Sequence, residues 1–267
     1  MDKIEKNLLE EIADIHEVPE GAYNIRANGK LESRNTTANI DIVTKKDKPG
    51  IDIIIKPGTV NESVHIPVIL SESGLKDLVY NDFYIGEGAD VTIVAGCGIH
   101  NCGDQASEHD GIHTFYIEKD AKVRYIEKHY GEGDGKGDRI LNPTTVVHIA
   151  EGGYMEMETV QIKGVSSTVR TTEADLSDGA SLVIHEKIMT HGKQYAKTDF
   201  AIDMNGKDCS CNLVSRSVAK GESRQEFFSI MNGNAACAGH SECDAIIMDH
   251  GCVTASPQLT ANNIDAN

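Results

Sequence analysis

Short apolar–polar alternations dominate the chain from Asn39 onward. They include Ile40-Asp41-Ile42, Ile51-Asp52-Ile53, Val64-His65-Ile66, Val91-Thr92-Ile93, Val123-Arg124-Tyr125, Met155-Glu156-Met157 and Phe200-Ala201-Ile202-Asp203-Met204. Period two places alternate side chains on opposite faces, so each run predicts a strand, and the Gly, Asp and Asn residues between runs predict turns. No helical period occurs between Asn39 and Asn267. A different pattern precedes them. Asp2-Lys3-Ile4-Glu5 reads as an acidic N-cap with Glu three residues later. Ile4, Leu8, Ile12 and Ile15 then fall on one helix face, and Pro19 closes the helix. The chain divides into a helical arm over 1–38, packed on the main body, and an all-β core over 39–267.

A weak repeat points to the architecture. A small residue follows Gly or Asp just before a strand at Gly88-Ala89, Asp120-Ala121, Gly152-Gly153 and Gly179-Ala180. The second residues stand at 89, 121, 153 and 180, in steps of 32, 32 and 27. Such spacing indicates stacked coils, with the small residue at a tight corner. A β-helix satisfies it, each coil burying its apolar face on its neighbours. The competing architecture is a β-sandwich. Asn205-Gly206 favours it, reading as a two-residue hairpin turn, and Asn28-Gly29 and Asn232-Gly233 look similar.

Composition narrows the function. The 42 acidic residues outnumber the 25 basic ones, giving a net charge of −17, which repels nucleic-acid phosphates and anionic lipid. Aromatic residues are 5% and Trp is absent, so base-stacking platforms are not expected. No apolar run approaches the ~18 residues of a membrane span. Met1–Lys6 is charged and no apolar stretch follows, so the expectation is a cytoplasmic chain without a secretory leader.

The chain has seven Cys, and in such a compartment they are expected to stay reduced. The densest cluster is Cys97-Gly98-Ile99-His100-Asn101-Cys102, followed by His109 and His113. Two thiols and three imidazoles are chemically adequate for zinc or iron, although their spacing matches no standard finger. Gly131-Glu132-Gly133-Asp134-Gly135-Lys136-Gly137 looks like a phosphate loop but lacks the hydroxyl residue and the following helix. It reads as a flexible acidic loop. No Gly-x-Ser-x-Gly elbow and no His-Glu-x-x-His occurs.

The C-terminal stretch carries the most specific signal: Arg216-Ser217, then Gly239-His240-Ser241-Glu242-Cys243-Asp244-Ala245, then Pro257 to Asn267. With His129-Tyr130-Gly131-Glu132-Gly133 and Thr190-His191-Gly192, it resembles the SufB/SufD family of SUF iron–sulfur assembly scaffolds. The resemblance runs from about Gly96 and is closest to the short, single-scaffold branch. It implies a right-handed parallel β-helix, a non-enzymatic role in accepting sulfur and building a transient Fe–S cluster, and a SufC-type ABC ATPase partner that holds the ATP. A sulfur donor protein is implied as well.

The family's functional thiol falls on Cys243. If coils stack, Cys237 or Cys252 could lie near it. His240 is nearer in sequence, but an offset of three puts it on the opposite strand face. The chain stops at Asn267, short of the family's His-Glu-Ala stretch and its C-terminal ATPase-docking helices, and truncation is the expected reason. Pairing through a β-helix edge, as a homodimer or with a SufB/SufD-like subunit, is a further expectation. Two alternatives remain open: a zinc- or iron-dependent β-helix enzyme using Cys97 to His113, and a metal-free interaction module.

Overall fold

In the computed structural model of the protein, residues 3–13, 19 and 21–267 are described. Helix α1 spans Lys3–Ala13 and buries Leu8, Leu9, Ile12 and Ala13. Asp2 and Ile15, assigned to its cap and its apolar face from the sequence, lie outside the described residues.

Among the described residues the body has nineteen strands. Two hairpins come first: β1 (Ala22–Ala27) with β2 (Lys30–Asn35), and β3 (Ile40–Thr44) with β4 (Gly50–Ile55), each pair antiparallel. Then come β5 (Val60–Leu70), β6 (Lys76–Ile85), β7 (Asp90–His100), β8 (Ser107–Ile117), β9 (Lys122–Glu132), β10 (Arg139–Leu141) and β11 (Thr144–Ile149). The chain continues through β12 (Tyr154–Lys163), β13 (Ser167–Leu176), β14 (Ser181–Thr190), β15 (Tyr195–Met204), β16 (Ser210–Ala219), β17 (Arg224–Gly233), β18 (Ala238–Ile247) and β19 (Cys252–Ala261).

These strands form two facing sheets. One runs β18-β16-β14-β12-β9-β7-β5-β1-β2, the other β19-β17-β15-β13-β10-β8-β6-β4-β3, with β11 continuing β10. Successive strands alternate between the sheets from β5 onward, and each pairs in parallel with the strand one coil away. This is a parallel β-helix of about seven turns, and the sandwich alternative is excluded.

The repeat in the sequence is the coil corner. Gly88, Asp120, Gly152 and Gly179 all take positive φ, from 56° to 66°. The residue after each donates its N–H back across the turn, as Ala89 does to Gly86 O and Ala180 to Ser177 O, both at 3.1 Å. Ala89, Ala121 and Ala180 are fully buried, so the corner takes a small side chain. Asp208-Cys209 continues the series with φ 59°. Of the expected hairpin turns, Asn28-Gly29 does join antiparallel β1 and β2. Asn205-Gly206 does not: it turns β15 of one sheet into β16 of the other, and a Cβ on Gly206 would fall 1.9 Å from Ser177 C of the coil below.

Between the sheets, one half of the lumen is apolar. Phe83 stacks on Phe115 at 4.4 Å, Phe115 meets Tyr125 edge-on at 5.0 Å, and Phe200 lies 5.8 Å from Phe227. Outside, α1 lies on the outward face of β7. Gly96 and Gly98 make its seat, and a Cβ on Gly96 would sit 2.5 Å from Ile12 O. The helix therefore covers the back of the strand that carries Cys97.

Candidate functional site: a polar file inside the solenoid

The other half of the lumen is lined by polar side chains, and strand period two explains why. On β9, Val123 and Tyr125 point inward, so Glu127 and His129 do too. Parallel register then stacks like positions coil on coil. Glu127, Thr159, Glu186, Ser215 and Cys243 occupy one inward row across β9, β12, β14, β16 and β18. Cys97 and His129 are register partners in the next row. From β7 to β18 is five strand spacings, about 24 Å.

At the Cys97 end, His109 and His113 project from the facing strand β8, and all three residues are buried. Asp77 Oδ2 lies 3.1 Å from His109 Nδ1, and Arg26 holds the other Asp77 oxygen at 3.0 Å. Burial opposes charge on both Cys97 and His109. Mutual attraction overcomes it: with help from His129, the thiol falls to about 7, and with help from Asp77 the imidazole rises to about 10. Cys97 thus ionises near neutral pH, opposite an imidazolium. His109 acts on Cys97 chiefly as a charge across the lumen. Gly111 leaves the space, since a Cβ there would touch both His109 Nε2 and His113 Nε2 at 3.3 Å.

His113 is the opposite case. Burial drops it to about 4, so it is neutral. Asn81 donates to Nε2 (3.3 Å), which puts the ring proton on Nδ1, 2.8 Å from Tyr125 Oη. Tyr125 in turn donates to Glu127 Oε1 at 3.0 Å. Glu127 stays ionised, well below the usual carboxylate range. Burial opposes this, but His129 and Arg170 prevail, Arg170 Nη1 lying 2.5 Å from Oε2. Arg170 Nη2 also lies 3.2 Å from His129 Nδ1, and its Nε lies 3.6 Å from Glu186 Oε1. Glu186 accepts from Thr198 (3.1 Å) and from Ser215 (2.7 Å), the residue beside Cys243.

Cys243 is only partly buried, and its thiol is raised by burial, Glu186 and Asp244, the opposite direction from Cys97. His240 lies on the outward face of β18, exposed, 3.3 Å from Glu242. Cys237 sits six residues before Cys243, at the corner entering β18, in the apolar core. It neighbours Cys209, whose thiol burial lifts to about 11. Cys252 is exposed at the start of β19. No hydrogen bond or ion pair joins any of these three to Cys243.

The five candidates between Cys97 and His113 separate. Cys97, His109 and His113 face the lumen, while His100 and Cys102 lie outside it. Strand alternation causes the split: β7 ends at His100, one residue out of phase with Cys97. Among the described residues, no group of three or more His, Cys, Asp or Glu side chains is arranged to hold a metal ion. Asp77, Glu127, Arg170 and Glu186 were not singled out from the sequence. Their signal is a charged residue on the inward phase of a strand, visible once that phase is fixed.

Fold and lumen together define the class: a parallel β-helix protein with thiols at both ends of a buried polar file. The family model described as "SUF system FeS cluster assembly, SufBD core domain" matches residues 80–267. The chain belongs to that SufBD family and so to iron–sulfur cluster assembly, as the resemblance in its C-terminal stretch implied. A comparison with curated proteins finds no match. No helix among the described residues is long and apolar enough to cross a membrane.

Proposed function

We propose that the chain is a scaffold that takes up sulfur and iron and builds a transient Fe–S cluster on its thiols, rather than an enzyme turning over a small substrate. In this reading a donor protein delivers sulfur and a SufC-type ABC ATPase supplies the ATP-driven motion. A second copy, or a SufB/SufD-like subunit, pairs along β18 and β19, where Ile246, Ile247 and Leu259 are more than half exposed.

One observation carries the reading. Parallel register lines up buried polar side chains between Cys97 at one end and Cys243 at the other, and two of their atoms, Thr159 Oγ1 and Gln161 Oε1, have no protein hydrogen-bond partner. Each such atom costs about 1–3 kcal/mol, so a fold that keeps both beside a continuous polar row is arranged for something other than its own stability. A thiolate and an imidazolium at one end, with a thiol at the other, suit sulfur acceptance and later metal ligation. Few ligands and an open second thiol also suit a cluster that must leave. Anaerobic reconstitution tests this: near-equal iron and acid-labile sulfide should be bound by the wild type and lost in Cys243→Ala. Zinc alone, unchanged by that substitution, would favour a metal enzyme instead.

A further inference from the structure

Two sequence features remain outside the lumen, the His100–Cys102 pair and the run of four glycines from Gly131 to Gly137, and the structure brings them together. The glycine run is a packed corner, not a flexible loop. Its backbone stacks on the loop that carries Cys102: Gly135 N–H donates to Asn101 O (3.1 Å) and Gly137 N–H to Gly103 O (2.9 Å). A Cβ on Gly133, Gly135 or Gly137 would fall 2.0–2.4 Å from the carbonyl oxygens of Asn101, Gly103 and Gln105. Buried Asn101 ties the loop internally, donating to Gln105 O (2.8 Å) and accepting from Gly103 N–H (3.0 Å). Cys102 is therefore exposed yet fixed.

Its neighbours form a chain of hydrogen bonds with one consistent direction. Lys163 Nζ donates to Tyr130 Oη (2.9 Å), and Tyr130 donates to Glu132 Oε2 (3.3 Å). His100 Nδ1 donates to Glu132 Oε1 (3.0 Å). That leaves His100 Nε2 as the acceptor facing Cys102 Sγ at 3.0 Å. A thiol, an imidazole base and an orienting carboxylate in sequence are the parts of an activated cysteine nucleophile. Asp134 is the second acceptor within reach of Cys102 and competes with His100 for its single proton, which holds the Asp134 carboxyl low.

We propose that Cys102 is a surface acceptor that takes the outer sulfur of a donor protein's persulfide, with His100 as its general base and Glu132 as the residue positioning His100. This rests on the scaffold reading above. His100 takes the Cys102 proton, and the thiolate attacks the outer sulfur of R–S–SH. The new S–S bond forms on Cys102 as the donor's S–S bond breaks, and the leaving thiolate R–S⁻ takes the proton back from His100. The products are Cys102–S–SH and R–SH, with no net oxidation.

The test incubates the reduced chain with glutathione persulfide, blocks thiols and locates the added sulfur by peptide mass spectrometry. Cys102 should load first. His100→Gln should slow loading about 100-fold near neutral pH, and the rate should recover at alkaline pH, where hydroxide replaces the missing imidazole as base. Glu132→Gln should slow it less and displace the same pH profile. Sulfur on Cys97 or Cys243 with Cys102 bare overturns the proposal, as does an unchanged profile in His100→Gln. Loading at Cys102 in a chain that never retains iron would instead sink the scaffold reading and leave this one standing.

Discussion

Cys97 and His109 face the lumen of the β-helix from opposite sheets, and their mutual attraction brings the thiol down to about 7 and raises the imidazole to about 10. The two shifts act oppositely on stability. Cys97's lowered value gives stability that is complete above its unfolded value of about 9 and lost as pH falls through about 7. His109's raised value gives stability that is complete below about 6.5 and lost as pH rises through about 10. Between pH 7 and 9 the two cancel. Cys97→Ser removes one side, so the stability gap between wild type and variant should widen over that range, by at most about 1.4 kcal/mol per pH unit. Urea unfolding at a series of pH values measures it. A gap independent of pH would mean that Cys97 is not a thiolate in the fold.

His109→Gln should return Cys97 to or above its ordinary value of about 9. Ultraviolet thiolate absorbance across a pH titration reads this directly. Asp77→Asn should move it in the same direction by less, because Asp77 acts through His109.

Arg170 is the cation between Glu127 and Glu186. Arg170→Met leaves Glu127 charged and buried, at an expected cost of about 3–5 kcal/mol. Adding Glu127→Gln should recover much of that loss, since the uncompensated charge is then gone. Denaturant melts of the two variants check both statements. If the double variant is no better than the single one, packing rather than charge is the cause.

Gly133 has φ 104° and no room for a side chain beside Asn101 O. Gly133→Ala should destabilise the chain by about 1–3 kcal/mol. It should also slow alkylation of Cys102 by displacing its loop, measured as a labelling rate under native conditions.

The β-helix was legible because its corners repeat: a left-handed Gly or Asp followed by a buried small residue leaves a mark at each coil. The strands showed through apolar alternation, and a motif singled out Cys243, whose role stands as a proposal. The polar file was hidden for a physical reason. Each strand contributes one or two inward polar residues, such as Glu127 beside Tyr125, and on one strand these look like breaks in the pattern. Only parallel stacking turns them into a row. The Cys97–His113 cluster misled in the opposite way, because closeness in sequence placed residues together that strand alternation and the turn after His100 set on different sides of the wall. The glycine run was read as flexible because its restraint comes from a loop about thirty residues earlier.

The central claim is that the polar file and its two terminal thiols serve cluster assembly. Iron and acid-labile sulfide, counted per chain after anaerobic reconstitution with iron, a persulfide sulfur source and dithionite as the two-electron reductant, test it in wild type, Cys97→Ser and Cys243→Ala side by side. The account predicts near-equal iron and sulfide in the wild type and loss of both in each variant. With inorganic sulfide in place of the persulfide, it predicts recovery in Cys97→Ser but not in Cys243→Ala. Iron and sulfide retained at wild-type level in both variants would contradict it.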